Sequence, residues 1–105
     1  MSDSIIEEAL QLTGVRAAAL VRPPGTVAAT SIDSKPLNAF FEMLYRSAYD
    51  LDKKAGLGTV AAVVVRTDKS QDLSLLIHEQ KALAVVSEGS RPMQDLSVQV
   101  RNLLR

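Results

Sequence analysis

The sequence predicts a single α+β domain in which helices cover both faces of one five-stranded sheet, and three observations predict it. First, residues 59–66, TVAAVVVR, are apolar at every position from Val60 to Val65. In a strand, Val60, Ala62 and Val64 point one way and Ala61, Val63 and Val65 the other, so neither face suits water. Second, Leu37, Phe40, Phe41, Leu44, Ala48, Leu51 and Ala55 fall within one stripe of a helix, about 100° wide. Third, Pro, Gly and polar clusters cut the remaining chain into strand-length apolar runs.

The elements follow in order. Ser4 and Glu7 form an S-x-x-E capping box at the start of a short first helix. Ile5, Ile6, Ala9, Leu10 and Leu12 supply its apolar face, and Gly14 stops it as the C′ residue. Residues 15–22 (VRAAALVR) read as a strand. Pro23-Pro24-Gly25 follows, with Pro-Gly signalling a type II turn, and 26–32 (TVAATSI) return as the second, more polar strand of a hairpin, suited to an edge. Asp33 or Ser34 caps the long helix, Pro36 sits in its first turn, and Gly56 ends it. Asn38, Glu42, Arg46, Asp50 and Lys53 lie opposite its apolar stripe, with Tyr45 and Tyr49 on one shoulder and Met43 and Ala39 on the other.

After Gly56-Leu57-Gly58 comes the apolar strand 59–66, then a polar turn at 67–72. Residues 73–79 (LSLLIHE) alternate, a tight connection lies near Gln80-Lys81, and 83–87 (LAVVS) form the last strand. Ser90 caps the final helix, whose stripe is Met93, Leu96, Val100, Leu103 and Leu104. The order is helix, strand, strand, long helix, three strands, helix. Five strands span ~19 Å across a sheet, and a helix of about twenty residues is ~30 Å long. The long helix can thus carry the chain from one edge of the sheet to the other. That places 59–66 at an edge, where a bare apolar strand needs a neighbour.

The 105 residues suit one domain with a thin core. Twelve basic and twelve acidic side chains leave no net charge, so the chain has no long-range attraction to nucleic acid or an anionic membrane. No cysteine is present, which excludes disulfides, thiolate metal sites and cysteine nucleophiles. The acidic start differs from a signal peptide, and no apolar run reaches the ~18–20 residues of a membrane span. The expectation is a soluble cytoplasmic protein with no direct membrane insertion.

Chemistry-bearing constellations are scarce. His78 is the only histidine, so triads and histidine-pair metal sites lack parts, and its strand neighbour Glu79 should point to the other face. Glu7-Glu8 suit a helix N-terminus, and Asp50 and Asp52 sit among Lys53 and Lys54 on a solvated face. Gly56-x-Gly58 precedes a strand, where a phosphate loop precedes a helix. Tyr45 and Tyr49 admit two readings, a rim that seals the core with hydroxyls in water, or a protein-contact surface. No catalytic residue, cofactor site or metal site is expected.

The element order, with LTGVRAAALVRPPGTVAATS at 12–31, LGTVAAVVVR at 57–66 and the ending VRNLLR, resembles the Roadblock family, named for the dynein light chain. Gly14-Val15 and Gly25 match its helix end and turn glycine, while the double proline Pro23-Pro24 departs from it. The resemblance implies one Roadblock-like domain over 1–105. Its fold would be profilin-like, a five-stranded antiparallel sheet with the long helix on one face and two helices on the other. It also implies a homodimer that pairs third strands edge to edge, through Met43, Ser47, Thr59, Val60, Ala61, Val63 and Val65. The paired long helices would then present Glu42, Tyr45, Arg46 and Tyr49 to a partner. The function so implied is a non-enzymatic regulator or scaffold that binds a Ras-like small GTPase, with Arg46 not a catalytic finger. The alternative is a structural adaptor in a motor or signalling complex without a GTPase. A small-molecule sensor fits less well, because the interior is filled by Ala, Val and Leu.

Overall fold

The structure, a computed structural model, describes residues 2–55, 62–67, 71–88 and 93–104. Its elements are α1 (Ser2–Leu10), β1 (Val15–Arg22), β2 (Thr26–Thr30), α2 (Lys35–Ala55), β3 (Ala62–Arg66), β4 (Gln71–His78), β5 (Lys81–Glu88) and α3 (Met93–Leu104), in the order the sequence predicts. The strands form one antiparallel sheet in the order β2-β1-β5-β4-β3. Both expected edges, β2 and β3, are edges. The helix α2 leaves the β2 edge, packs on β2, β1 and β4, and ends before β3, so it carries the chain across one face.

Local signals explain most boundaries. The α2 N-terminus is capped by Ser34, whose Oγ accepts the Leu37 N–H at 3.2 Å. The helix α1 starts at Ser2, so Ser4, expected as its cap, lies inside the helix. It closes with tight bonds from Gln11 N–H to Glu8 C=O and Leu12 N–H to Ala9 C=O, and Gly14 takes a φ of 85° before β1. Gly56-Leu57-Gly58, residues 59–61 and the Ser90 cap lie outside the described residues.

Two turns differ from expectation. The Pro23–Pro24 peptide bond is cis and Gly25 N–H donates to Arg22 C=O at 2.8 Å. The reversal therefore spans Arg22–Gly25 with Pro24 at its third position, one residue earlier than a type II Pro-Gly turn. Between β4 and β5 the connection is Glu79-Gln80, again one residue earlier than expected, with φ values of 51° and 72°. Two successive left-handed residues define a type I′ hairpin, which suits the strand twist even without glycine.

Two cores form on opposite faces of the sheet. Ala18 and Leu20 of β1, Leu83 and Val85 of β5, and Leu76 of β4 pack with Ile6, Ala9, Val100 and Leu104 of α1 and α3. The intervening residues Ala19, Val21, Ala82, Ala84, Val86 and Leu75 pack with Ile32, Phe41 and Tyr45 beneath α2. Alternation along β1 and β5 feeds both cores, so a one-residue slip would exchange their contents.

The expectation that 59–66 has both faces covered fails for β3 itself. Val63 packs toward the α2 core, but Ala62 and Val64 on the other face are exposed, Val64 at 39%. The helix α3 packs on β4 and β5. Leu51, which the helical stripe assigns to the core, is 46% exposed near the α2 C-terminus.

A Cβ at Gly25, where φ is 129°, would lie 2.9 Å from Arg46 Cγ and 3.3 Å from Tyr45 Cδ1. Gly25→Ala is expected to lower unfolding free energy by about 2 kcal/mol. Gln80→Gly, at a position already left-handed, is expected to raise it by roughly 0.5–1 kcal/mol. Urea titration monitored by circular dichroism measures both.

Candidate functional site

The helix α2 organises the surface the sequence singles out, and its flanks differ. On the β2 flank, Glu42 Oε2 accepts the Val27 N–H at 2.8 Å and Arg46 Nη2 donates to Gly25 C=O at 3.2 Å. These two residues, expected to meet a partner, are held by the chain's own backbone. One turn earlier, Asn38 Nδ2 donates to Ile32 C=O at 3.0 Å, and its Oδ1 accepts from the Thr30 hydroxyl at 2.9 Å. Asn38 was not singled out from sequence. The readable signal was its place in the i, i+4, i+8 row Asn38, Glu42, Arg46, which a helix puts on one side.

Tyr45 is 6% exposed and belongs to the core beneath α2. Its hydroxyl donates to Gln80 C=O at 2.5 Å, tying α2 to the β4–β5 turn. Neither sequence reading describes it fully, since the ring seals the core but the hydroxyl is not in water. Tyr49, one turn on, is 51% exposed, with Lys53 Nζ 4.7 Å from its ring centroid. Pro23, Pro24, Tyr45, Tyr49 and Gln80 line a shallow groove of about 230 Å³ between α2 and the two turns. Its lining is aromatic and apolar and brings together no nucleophile and base.

On the opposite flank, Phe40, Ser47 and Leu51 lie roughly half a turn from the Asn38–Glu42–Arg46 row, with Met43 at their outer margin. Met43 and Ser47 are exposed, Met43 at 51%. Of the other residues expected at a dimer interface, Val63 and Val65 are half-buried on β3, while Thr59, Val60 and Ala61 lie outside the described residues. The β3 ladder to β4 runs without irregularity from Ala62↔Leu76 to Arg66↔Asp72, leaving its other side without a strand among the described residues.

His78 and Glu79 come within 3.9 Å, contrary to the expectation of opposite faces, because Glu79 has left the strand for the turn. The contact is ionic only when the imidazole is protonated. Among the described residues no three His, Cys, Asp or Glu side chains cluster as metal ligands, and no helix is long and apolar enough to cross a membrane.

This architecture is the profilin-like class of α+β fold, and more narrowly the fold of Roadblock/LC7 domains. The chain is similar to a Roadblock/LC7 domain from Streptomyces avermitilis, at a TM-score of 0.71 and 20% identity over 98% of this chain and 88% of that one. It is similar to the gliding protein MglB from Thermus thermophilus, at a TM-score of 0.73 and 20% identity over 97% of this chain and 82% of that one. Profilin IB from Acanthamoeba castellanii is similar at a TM-score of 0.61 and 15% identity, over 98% and 93%. No family model and no curated protein matches by sequence. The likeness is one of fold, and the resemblance seen in the sequence holds at that level.

Burial, and after it the neighbouring Tyr49, pushes the Tyr45 phenol above its ordinary value of 10.0. The folded chain keeps this proton at pH values where the unfolded chain has released it. The stability Tyr45 contributes is therefore full below the ordinary phenol range and is lost as pH rises through that range toward the raised value. Tyr45→Phe is expected to cost about 1 kcal/mol at neutral pH and to flatten the alkaline fall in stability. Denaturant titrations between neutral and strongly alkaline pH measure the two slopes.

Proposed function

We propose that this chain is a non-enzymatic, dimeric regulator or scaffold that binds a Ras-like small GTPase. The observation that carries the reading is an open, apolar β3 edge beside an exposed apolar flank of α2, which holds Met43 and Leu51. A lone domain rarely leaves an edge of alanine and valine unprotected. Pairing β3 with β3 of a second copy continues the sheet and brings the two α2 helices side by side. The Roadblock fold over nearly the whole chain supports the same arrangement.

In this reading Met43, Ser47, Val63 and Val65, with residues 59–61, form the dimer interface. Tyr49 is the principal partner anchor, since it is exposed, aromatic and lines the groove. Glu42 and Arg46 hold the surface in shape while offering their outer atoms, and Tyr45 positions α2 from below. Recognition is by shape, directed at the switch regions that differ between the GTP and GDP states of the partner. Binding that differs between those states supplies regulation without any catalytic group on this chain.

Burying a large apolar side chain contributes ~1.5–3 kcal/mol. Met43→Glu with Val64→Lys, both at exposed positions, is expected to leave folding within about 0.5 kcal/mol. It is expected to raise the dimer dissociation constant at least about thirtyfold. Light scattering across a dilution series measures the change, and a wild-type chain that stays monomeric at millimolar concentration overturns the dimer. For the partner, the test is affinity purification from the native cell, then titration of the co-purified GTPase loaded with GTP analogue or GDP. Nanomolar-to-micromolar binding to one state, weakened about tenfold or more by Tyr49→Ala, is expected. Equal and negligible binding to both states ends the GTPase reading.

A further inference from the structure

The row Asn38, Glu42 and Arg46 does more than dock a helix. It meets β2 and its flanks at three levels, at Thr30 and the Val27 N–H within the strand and at the Ile32 and Gly25 carbonyls just outside it. All these groups belong to the edge strand or its flanks, where unpaired backbone invites another chain. Thr30 adds to the cover, since its Oγ1 accepts the Ile32 N–H at 2.8 Å. A β-bulge between Leu20 and Val21 also breaks the β1–β2 register, and β2 has only five residues. Bulges, short length and charged side chains are each means by which proteins blunt an edge. The other edge has none of these among its described residues apart from shortness and Arg66 at its end. Its register is continuous and Ala62–Val65 carry no polar side chain.

We infer that α2 seals the β2 edge with this side-chain row, so that copies of the chain join only through β3 and self-association stops at a closed pair. If both edges were open, β2 of one copy could add to β3 of the next. That contact is heterologous, leaves a free edge at each end, and propagates into a filament. With β2 sealed, the available contact is β3 with β3, which uses up both edges and closes. The Glu42 carboxylate is central, because it holds a backbone N–H of β2 itself, that of Val27, next to the bulge. The inference rests on the β3-pairing reading above and adds the reason such pairing ends at two copies.

The test compares full-length wild type, Glu42→Ala and Glu42→Gln by light scattering and by amide exchange at Val27. Wild type is expected never to exceed the mass of a pair at any concentration. Glu42→Ala is expected to show a mass that climbs with concentration to at least about twice the wild-type value, with Val27 exchanging at least about tenfold faster. Glu42→Gln keeps an acceptor oxygen and is expected to stay at the wild-type mass. Adding Val64→Lys to Glu42→Ala is expected to stop growth beyond a pair, since a filament needs both edges of every copy. Should Glu42→Ala fail to fold, Asn38→Ala opens the Thr30–Ile32 end and is expected to show the same rise. A folded Glu42→Ala or Asn38→Ala chain that keeps the wild-type mass at every concentration overturns the sealing inference. A monomeric wild type overturns the β3 pairing, while a faster Val27 exchange in Glu42→Ala still registers the seal.

Discussion

An open five-stranded sheet has two edges, and that is the constraint from which the rest of this molecule follows. The hydrogen-bonding capacity along each edge strand must be covered, blunted or paired. The connection between β2 and β3 must also travel from one edge to the other, because these consecutive strands are the outermost two. One long helix meets both demands. It is long enough to cross the sheet, and its polar row reaches the backbone of the strand it has just left. The far edge, which it approaches with an apolar flank, has no further strand beside it among the described residues. The two ends of the sheet are therefore chemically unlike.

The centre of the sheet supplies the rigidity this arrangement needs. β5 is buried continuously from Ala82 to Ser87, and β1 from Ala18 to Val21, because each feeds the core above and the core below. Their small side chains let helices approach closely on both faces. Phe41 and Tyr45 then fill the wider space under α2, and the Tyr45 hydroxyl finds the Gln80 carbonyl. That bond holds a turn whose two residues carry left-handed backbone without glycine. A buried phenol on a polar partner is the usual way tyrosine reconciles a large apolar ring with its polar tip.

Much of the fold was legible in the sequence, and the failures have physical reasons. Element order, both edges and the Ser34 cap came from period and punctuation, which are local properties. The turn at Pro23-Pro24-Gly25 was misplaced by one residue because a Pro-Pro-Gly string satisfies more than one turn class. The Glu79-Gln80 turn was displaced because neither residue advertises positive φ, and cross-strand pairing of His78 with Lys81 decides its place. The surface was less legible. Glu42 and Arg46 read as facing a partner because helical angle alone cannot say whether a neighbouring edge strand lies within reach of long side chains. Val64 read as covered because an all-apolar strand does not disclose how far α3 extends.

The angular position of a residue on α2 now decides what a substitution there can mean. The inward stripe of Phe41, Tyr45 and Ala48 is buried, so changes act through packing and stability. The row Asn38, Glu42, Arg46 faces β2 and acts through backbone groups that would otherwise be exposed. The row Phe40, Ser47, Leu51, with Met43, faces away from β2 and leaves Met43 and Leu51 exposed. Tyr49 and Lys53 share the angular sector of the Asn38, Glu42, Arg46 row nearer the helix C-terminus, with Tyr49 lining the groove by the turns and Lys53 Nζ over its ring. In the proposed dimer, a charge placed on the β3-side row would weaken pairing and leave the fold intact, whereas a charge removed from the β2-side row would free an edge without touching the proposed pairing surface. In that reading one helix separates the decision to pair from the decision to stop. A chain with an unscreened apolar edge needs both, since attraction without termination is the route to aggregation.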